Sequence, residues 1–269
     1  MAKPAEAPAA ADADSPDNGF KDHFSVQSQE YALFRPRYPK VLFEWMAQCA
    51  KGHDLAWDCA TGNGQAAEGL AGYFREVIAT DASARQIACA RTCAGVSYRV
   101  AAAEASGLPA ASVDLVCVAQ AAHWFDLPRF HAEVRRVLKP GGLIVLGCYE
   151  RLRIAPALDA VIDDFYVGEL GPWWPPERAH VETGYRNLDF PYAAFSTPAF
   201  SLREAWTLDQ LLGYFSTWSA LQASRTATGA DPLAALRERL SRLWGKAEAV
   251  RAIEWPMSLR AGYLPANAG

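Results

Sequence analysis

Short apolar stretches and helix-forming stretches alternate between residues 55 and 146. Five strands are predicted at residues 55–57, 76–80, 96–101, 113–118 and 143–146, and helices between them at residues 66–73, 83–93 and 127–138. Parallel neighbours need a crossover connection, and helices in such connections cover both faces of the sheet. The alternation therefore predicts an α/β fold with a doubly wound, mostly parallel sheet and helices on both faces.

The alternation stops after Tyr149. A predicted helix at residues 156–167 is followed by the run Gly171-Pro-Trp-Trp-Pro-Pro176 and by further aromatic residues, which is typical of a cap and not of a sheet. Later strands and helices are predicted at residues 200–206, 208–223, 232–249 and 253–259. We expect a seven-stranded sheet with a small cap insertion after strand five, at about residues 150–198.

The chain has no internal repeat or linker that would set apart a second domain, so residues 20–269 are expected to form a single domain. Residues 1–19 are rich in Ala, Pro and Asp and lack the apolar segment of a signal peptide. They are predicted to be a disordered leader.

The charge pattern points to a small-molecule partner. The net charge is −4 and the sequence has no long basic run, so it lacks the positively charged segment that is typical of binding to nucleic acid or to an anionic membrane. No apolar run reaches the ~20 residues that a membrane span needs. The six cysteines form no C-x-x-C pair and are expected to be reduced, which favours a cytoplasmic location. The oligomeric state is left open.

A glycine pair lies where the first predicted strand meets the first helix. Gly62 and Gly64 allow close approach of a ligand to backbone N–H groups, and together with Ala67 they also satisfy the dinucleotide pattern G-x-G-x-x-A. Asp81, at the end of the second strand, suits the ribose of either a nicotinamide or an adenosyl cofactor. Asp58 favours the second, because a carboxylate there would repel a pyrophosphate and attract an ammonium or sulfonium group.

Several motifs occur in the order typical of one enzyme family. They are Asp58-Cys-Ala-Thr-Gly-Asn-Gly64, Asp81-Ala-Ser83, Ala103-Glu104, Gly107-Leu-Pro109, Ser112-Val-Asp114 and Leu138-Lys-Pro-Gly-Gly142. This set resembles the class I S-adenosylmethionine-dependent methyltransferases over residues 29–149. Segments 31–39 and 120–126 are similar to a small-molecule branch that includes trans-aconitate methyltransferases, with a methyltransferase type 11 domain.

The resemblance implies a cofactor, S-adenosyl-L-methionine, and a set of residues that bind it. Asp58 would meet the ammonium group of its methionine part, and Asp81 the ribose hydroxyls. The full implied set is Asp58, Ala60, Gly62, Gly64, Asp81, Ala82, Ala103, Glu104, Ala119 and Gln120. Two residues depart from the family pattern. Ala60 replaces a usual glycine, which alanine tolerates if its φ is negative, and Ala102 replaces an aspartate that often bonds the adenine.

Methyl transfer from a sulfonium is an in-line displacement in which the protein mainly aligns the reactants and excludes water. His123 is a candidate catalytic base, and a positioning role or simple packing remain open alternatives. An acidic acceptor could be bound through charge-assisted hydrogen bonds by Arg35, Arg151 or Arg186. The aromatic residues of the cap fit either a lid or ordinary packing. Candidate substrate residues are Tyr31, Arg35, Trp124, Trp173, Trp174 and Tyr185. The histidines show no metal-ligand spacing, so no metal is predicted.

These features together predict an enzyme that methylates a small molecule, with an organic acid carboxylate as one possible acceptor. Two alternatives remain open at this stage. One is a protein that binds S-adenosylmethionine without turnover, and the other is an NAD(P)-dependent oxidoreductase that uses the same glycine turn.

Overall fold

The computed structural model describes residues 34–246 and 248–265 of the chain. The strands are β1 (Leu55–Cys59), β2 (Glu76–Asp81), β3 (Val96–Val100), β4 (Val113–Ala119), β5 (Leu138–Tyr149), β6 (Ala193–Phe195), β7 (Phe200–Trp206) and β8 (Arg251–Tyr263). The helices are α1 (Lys40–Cys49), α2 (Gln65–Leu70), α3 (Ala84–Ala88), α4 (Leu127–Val137), α5 (Pro156–Asp164), α6 (Arg178–Glu182), α7 (Leu208–Ser216), α8 (Ser219–Thr228) and α9 (Pro232–Trp244). The predicted α/β fold class is confirmed.

The strands form one twisted sheet in the order β3-β2-β1-β4-β5-β8-β6, with β7 also paired to β8. The pairs from β3 to β5 are parallel, and every pair that involves β8 is antiparallel. Because the chain goes from β1 to β2 on one side and β4 lies on the other, the strand order reverses at the β1–β4 pair. In open α/β sheets a ligand binds in the crevice at the carboxyl ends of such strands.

Strands β1 and β4 are buried on both faces. Ala56 and Trp57 in β1 have no exposed surface, and neither have Leu115, Val116 and Val118 in β4. Continuous apolar runs of this kind are typical of parallel strands that helices cover on both sides. The two strands therefore form a rigid support for whatever side chains follow them at the carboxyl edge.

The sheet has eight strands among the described residues, one more than predicted, because part of the expected cap pairs with β8. Residues 193–195 form the edge strand β6, and the ring of Phe195 stacks on that of Tyr263 with 5.0 Å between centroids. The two halves of β8 have different partners. Residues 257–263 pair with β5, whereas residues 251–257 pair with β7.

A second apolar core lies against β7 and the first half of β8. It brings buried side chains of residues 149–170 together with those of residues 202–255, and helices α5, α7 and α9 pack in it. Its largest fully buried members include Phe165, Phe215, Trp244 and Trp255. The helical layer thus extends beyond the predicted cap range of 150–198, and that range as a domain boundary stays a prediction.

Several predicted helices are longer than the observed ones: α2 ends at Leu70 and α9 at Trp244, where helices at residues 66–73 and 232–249 were expected. Two others differ more. The helix expected at residues 83–93 is only α3; Ser83 begins it as predicted, its Oγ accepting the Gln86 N–H at 3.3 Å. Gln86 is the one buried residue of α3, so little apolar surface holds a longer helix. The helix expected at 208–223 is interrupted, because Thr217 bonds back to the Tyr214 carbonyl and Trp218 is extended.

We predict that Gly69→Ala destabilises the protein. A Cβ at Gly69 in α2 would lie 2.1 Å from Cε2 of Phe43, whose ring is held in the core between α1 and α2. Overpacking should lower the free energy of unfolding by about 1–3 kcal/mol, although alanine is the better helix former. Urea titration measures the change. Gly72→Ala is the matched control because nothing lies within 4 Å of its Cβ; equal effects of the two substitutions would contradict the prediction.

Candidate functional site

The loops after β1 and β2 are tied to each other at the carboxyl edge of the sheet. The Thr61 N–H donates to the Thr80 carbonyl at 2.9 Å, and the Trp57 indole donates to the Thr80 hydroxyl at 2.8 Å. These bonds fix the glycine turn of residues 61–64 beside the end of β2. The turn is thus a preformed part of the fold, at the strand-to-helix junction that the sequence predicted.

The carboxylate of Asp81 also holds the glycine turn in place. Oδ2 accepts the Gly62 N–H at 2.9 Å, and Oδ1 accepts the Ser83 N–H at 2.8 Å. The side chain is largely buried at the end of β2. Each carboxylate oxygen can accept a further hydrogen bond, so Asp81 can hold two turns together and still receive ligand hydroxyls.

Asp58 is a buried carboxylate whose hydrogen bonding is incomplete. Its Oδ2 accepts the Thr61 hydroxyl at 2.5 Å, while Oδ1 has no hydrogen-bond partner in the described part of the chain. Burial raises the pKa of Asp58 to about 7, the Thr61 hydroxyl and Ala67 N–H oppose this rise, and the charge of Asp81 adds to it. An oxygen left in this state is costly, and a cationic ligand group would relieve the cost.

Three more buried oxygen atoms without a hydrogen-bond partner belong to residues around the glycine turn. They are Gln65 Oε1, Gln86 Oε1 and Tyr98 Oη, again judged within the described residues. A Cβ at Gly64, where φ is +92°, would lie 2.4 Å from Tyr98 Oη. Polar atoms that are buried without partners normally indicate a water, an ion or a ligand. The turn therefore has the donor and acceptor chemistry of a ligand cradle.

Gln86 and Tyr98 were not among the predicted site residues. Tyr98 lies on β3 opposite Ala79 of β2, and burial raises the pKa of its phenol to about 12. Nothing in the sequence of β3 distinguishes Tyr98 from an ordinary strand residue. Gln86 follows Asp81-Ala-Ser83 in the first turn of α3, and only its burial distinguishes it from a solvated helix residue.

Two non-glycine residues at the crevice have left-handed backbone. Ala60 has a φ of 57°, so the expectation that alanine is tolerated there with a negative φ is wrong. Gln120, just after β4, has a φ of 62°; its N–H donates to the Gly147 carbonyl at 2.7 Å and its Oε1 accepts the Tyr149 N–H at 2.7 Å. Residues in this region are strained by steric contact with their own Cβ, and such strain concentrates at functional sites.

The other residues of the predicted cofactor set lie along the same edge. Ala82 follows β2, Ala119 ends β4, and Ala103 is buried just after β3. Glu104 accepts the Asp126 N–H at 3.0 Å, which links this loop to the start of α4. Ala102, which replaces an aspartate of the family pattern, pairs with Ala105 in an isolated bridge. The fold thus brings the predicted set to one edge without showing which members touch a ligand.

His123 lies in the 3₁₀ turn Ala122–Trp124 after β4 and is only 8% exposed. Its Nδ1 is 2.8 Å from the hydroxyl oxygen of Tyr185, and its ring is 4.6 Å from that of Trp124. Burial lowers the pKa of His123 to about 3; the positive charges of Arg178 and His180 add to the effect and Glu177 opposes it. The imidazole is therefore neutral throughout the physiological pH range.

Arg178 in α6 was not predicted from the sequence. Its guanidinium lies beside two aromatic rings that contact each other, 5.0 Å from the centroid of Trp174 and 5.6 Å from that of Tyr166. Its Nε donates to Tyr166 Oη at 2.7 Å, and Glu182 lies 3.8 Å away. Tyr166 in turn donates to Glu182. An arginine in a proline-punctuated stretch carries no sequence signal, because its role follows from where the cap places it.

The predicted substrate residues meet different environments. Arg35 donates to Tyr149 Oη at 2.6 Å and to the Thr217 carbonyl at 3.3 Å. Trp174 and the half-exposed Trp173 pack against the second core, whereas Tyr185 is fully buried. Arg151 forms an ion pair with Asp163 at 2.8 Å. Tyr31 lies outside the described residues.

The described residues include no candidate metal site and no candidate membrane-spanning helix. They contain no group of three or more His, Cys, Asp or Glu side chains arranged to hold a metal ion. Within the same residues, each helix is too short or too polar to cross a membrane.

Known proteins resemble this chain over most of its length. A family model described as a methyltransferase domain matches residues 57–146. A Dictyostelium discoideum protein named "Putative methyltransferase" is 36% identical over 225 residues, 82% of this chain and 86% of that protein. "Methyltransferase pgmE" of Aspergillus terreus is 27% identical over 201 residues, 65% of this chain and 59% of that protein. A solved structure titled as that of a "Putative Type II Methyltransferase", from Anaeromyxobacter dehalogenans, is 48% identical with a TM-score of 0.81, covering 86% of this chain and 99% of that one.

We predict that Ala60→Gly stabilises the protein. Glycine removes the steric penalty of about 1–2 kcal/mol for a left-handed residue, and the greater freedom of the unfolded chain offsets part of the gain. A net increase of about 0.5–1 kcal/mol in the unfolding free energy is expected from urea titration. Ala71→Gly is the control: Ala71 has an ordinary helical φ of −58°, so glycine there should destabilise. Loss of stability in both variants would contradict the prediction.

The raised pKa of Asp58 predicts how stability without ligand changes with pH. Because the folded-state pKa of about 7 lies above the ordinary value of 3.8, folding favours the protonated carboxyl. This contribution is complete below the ordinary pKa and is lost as the pH rises through about 7. Wild type should therefore lose stability between pH 5 and pH 8 relative to Asp58→Asn, as measured by urea titration. Asp163→Asn, which changes an exposed ion pair, should have the same pH dependence of stability as wild type. The raised pKa of Asp58 would be contradicted if wild type became more stable relative to Asp58→Asn as the pH rises.

Proposed function

Because the chain belongs to the class I S-adenosylmethionine-dependent methyltransferases, we propose that it methylates a small-molecule acceptor, preferably an organic acid carboxylate. The family identifies S-adenosylmethionine as the cofactor, which supplies a methyl group on a positively charged sulfur and leaves as the neutral thioether S-adenosyl-L-homocysteine. The narrower resemblance to trans-aconitate methyltransferases stays a prediction.

The cofactor-binding role of the glycine turn is supported by its unpaired polar atoms. Asp58 Oδ1 is a buried carboxylate oxygen without a partner in the described residues, and it is suited to the ammonium group of the methionine part. Asp81 retains acceptor capacity for ribose hydroxyls. Gly62 and Gly64 leave room for a ligand to approach the backbone. We extend the proposed set to Gln86 and Tyr98, whose unpaired oxygens lie beside the same turn.

The position of Arg178, a cation under the cap, is the observation that most favours an acidic acceptor. Arg178 remains charged at any physiological pH, and it lies close enough to affect the pKa of His123 after β4 and of Cys148 near the end of β5. Two aromatic rings hold its guanidinium, which limits its motion. Arg35, bonded to Tyr149 at the end of β5, adds a second positive charge at this side. A carboxylate between these arginines would be oriented and partly shielded from water.

The remaining chemistry requires alignment more than proton transfer. A carboxylate attacks without losing a proton, so the chain has to place the acceptor in line with the methyl group and exclude water. Trp124, Trp173 and Trp174 are the proposed aromatic walls, and Gln120 after β4 would pass beside the reacting carbon. His123 remains a candidate catalytic or positioning residue at this site.

Methyl transfer to a panel of organic acids tests the proposal. Enzyme, methyl-labelled S-adenosylmethionine and each acid are incubated, and mild alkali then releases labelled methanol from esters but not from ethers or amines. Alkali-labile product would support carboxylate methylation, and only alkali-stable product would contradict it. No product with any acceptor, despite cofactor binding, would favour a binding protein without turnover.

Variants of Arg178 sharpen the same assay. Arg178→Lys keeps the charge but loses the planar guanidinium, so KM for an active acid should rise, and Arg178→Met should raise it further. Arg237→Lys, at an exposed ion pair on α9, is the matched control and should leave KM unchanged. Equal KM in all variants would contradict a role for Arg178 in acceptor binding.

We predict that Asp81→Ala weakens binding of both S-adenosylmethionine and S-adenosyl-L-homocysteine by about 2–4 kcal/mol, because it removes charge-assisted bonds to the ribose. Calorimetry measures the affinities. Since Asp81 also bonds the Gly62 and Ser83 N–H groups, thermal unfolding of the unliganded variant must accompany the titration. Asp159→Ala, which removes a carboxylate bonded to backbone in α5, is the control. Unchanged affinity in Asp81→Ala, or tight binding of NAD, would contradict the assignment.

A further inference from the structure

Tyr185 is placed with unusual precision against the turn after β4. Its φ is 60° and that of the preceding Gly184 is 59°, so two consecutive residues have left-handed backbone. The Tyr185 N–H donates to the His180 carbonyl at 2.8 Å, and Arg260 donates to the Tyr185 carbonyl at 3.0 Å. A bulky residue persists in this region only where its surroundings hold it. The phenol is thereby fixed beside His123, with no exposed surface.

The phenol of Tyr185 has a single hydrogen-bond partner among the described residues. Its oxygen lies 2.8 Å from His123 Nδ1. A neutral phenol has two lone pairs and one proton to donate. Burial raises the pKa of Tyr185 well above its ordinary value, so the proton stays on the oxygen.

The position of the imidazole proton follows from these contacts. If His123 Nδ1 carried it, the ring would donate to the phenol oxygen, and the buried phenol proton would have no acceptor in the described part of the chain. If Nδ1 is bare, it accepts the phenol proton at the observed 2.8 Å, and both the phenol and Nδ1 are satisfied. Nε2 then carries the imidazole proton, and it has no hydrogen-bond partner in the described part of the chain.

We propose that Tyr185 is a positioning residue that holds His123 as the Nε2–H tautomer, so that His123 donates a hydrogen bond at the acceptor site and does not act as a base. The charged and titratable groups that face His123 are Tyr185, Arg178, His180 and Glu177. The positive charge of Arg178 opposes any gain of a proton by the ring, which reinforces the donor role.

The consequence for the reaction rests on the proposed methyl transfer. A donor at this place favours an acceptor that arrives as an oxyanion. A lone pair of the acceptor oxygen forms the new C–O bond while the S–CH₃ bond breaks and its electron pair stays on sulfur. The anion and the sulfonium give a neutral ester and a neutral thioether, and no proton moves. Acceptors that must lose a proton during the step, such as amines, would lack a base in His123.

Nitrogen NMR of the histidine rings tests the tautomer without any substrate. In ¹⁵N-labelled protein, long-range ¹H–¹⁵N correlation separates a protonated ring nitrogen from a bare one, and His123→Gln identifies the His123 signals by their loss. We expect a protonated Nε2 and a bare Nδ1, with no titration between pH 5 and pH 9. A protonated Nδ1 in the wild type would overturn the proposal even if the protein proves to be an active methyltransferase.

Tyr185→Phe separates the positioning role from simple packing. It keeps the ring and removes the phenol proton, so the Nδ1–H form should now be populated; an unchanged tautomer would show that Tyr185 does not select it. If this variant fails to fold, the wild-type spectrum still decides the tautomer. Once an acceptor is found, His123→Gln, whose amide retains an N–H donor, should keep kcat within about tenfold, whereas loss of a base would lower it by ~100-fold or more. The larger loss, with a pH-dependent kcat in the wild type, would overturn the donor role.

Discussion

A fully buried carboxylate lies near the carboxyl end of β1, an interior strand of the sheet. Asp58 is held there because β1 is buried on both faces and Thr61 bonds one of its oxygens, while the other oxygen is left unpaired. This arrangement is unfavourable for the unliganded fold. Under the proposed function, the unpaired oxygen would favour a positively charged group of the ligand. The polarity of the site is thus a property of the strand and not of a flexible loop.

Other residues of the crevice also have conformations that lower the stability of the unliganded protein while they shape the site. Ala60 and Gln120 have strained backbone on the two sides of the β1–β4 switch point, and Gly64 allows the Tyr98 hydroxyl to lie where a Cβ would otherwise be. Each feature weakens the empty protein slightly and keeps backbone groups where a ligand can reach them. On the acceptor side, Tyr185 shows similar strain, which suggests that both halves of the site rely on the packing beneath them.

The sequence predicted the parallel half of the fold well, because apolar runs that alternate with helices have few other solutions. Asp58 and Asp81 could be found because each follows such a run directly. Residues 193–195 were missed as a strand, since three residues with exposed alanines carry no pattern and gain their pairing only from β8. Arg178 could not be predicted, because its environment is formed by side chains distant in sequence, such as Tyr166 and Trp174. Likewise the contact between His123 and Tyr185 could not be predicted, although Tyr185 was expected to contact the substrate.

The two halves of β8 have a consequence for how the chain must fold as it is synthesised. Residues 257–263 complete the pairing of β5, and residues 251–257 support the helical layer through β7. The last described strand is therefore needed by both apolar cores, and α5 emerges from the ribosome roughly a hundred residues before the surface it packs beside is finished. Neither half can become a stable unit during translation, so the aromatic residues of the second core stay exposed until late.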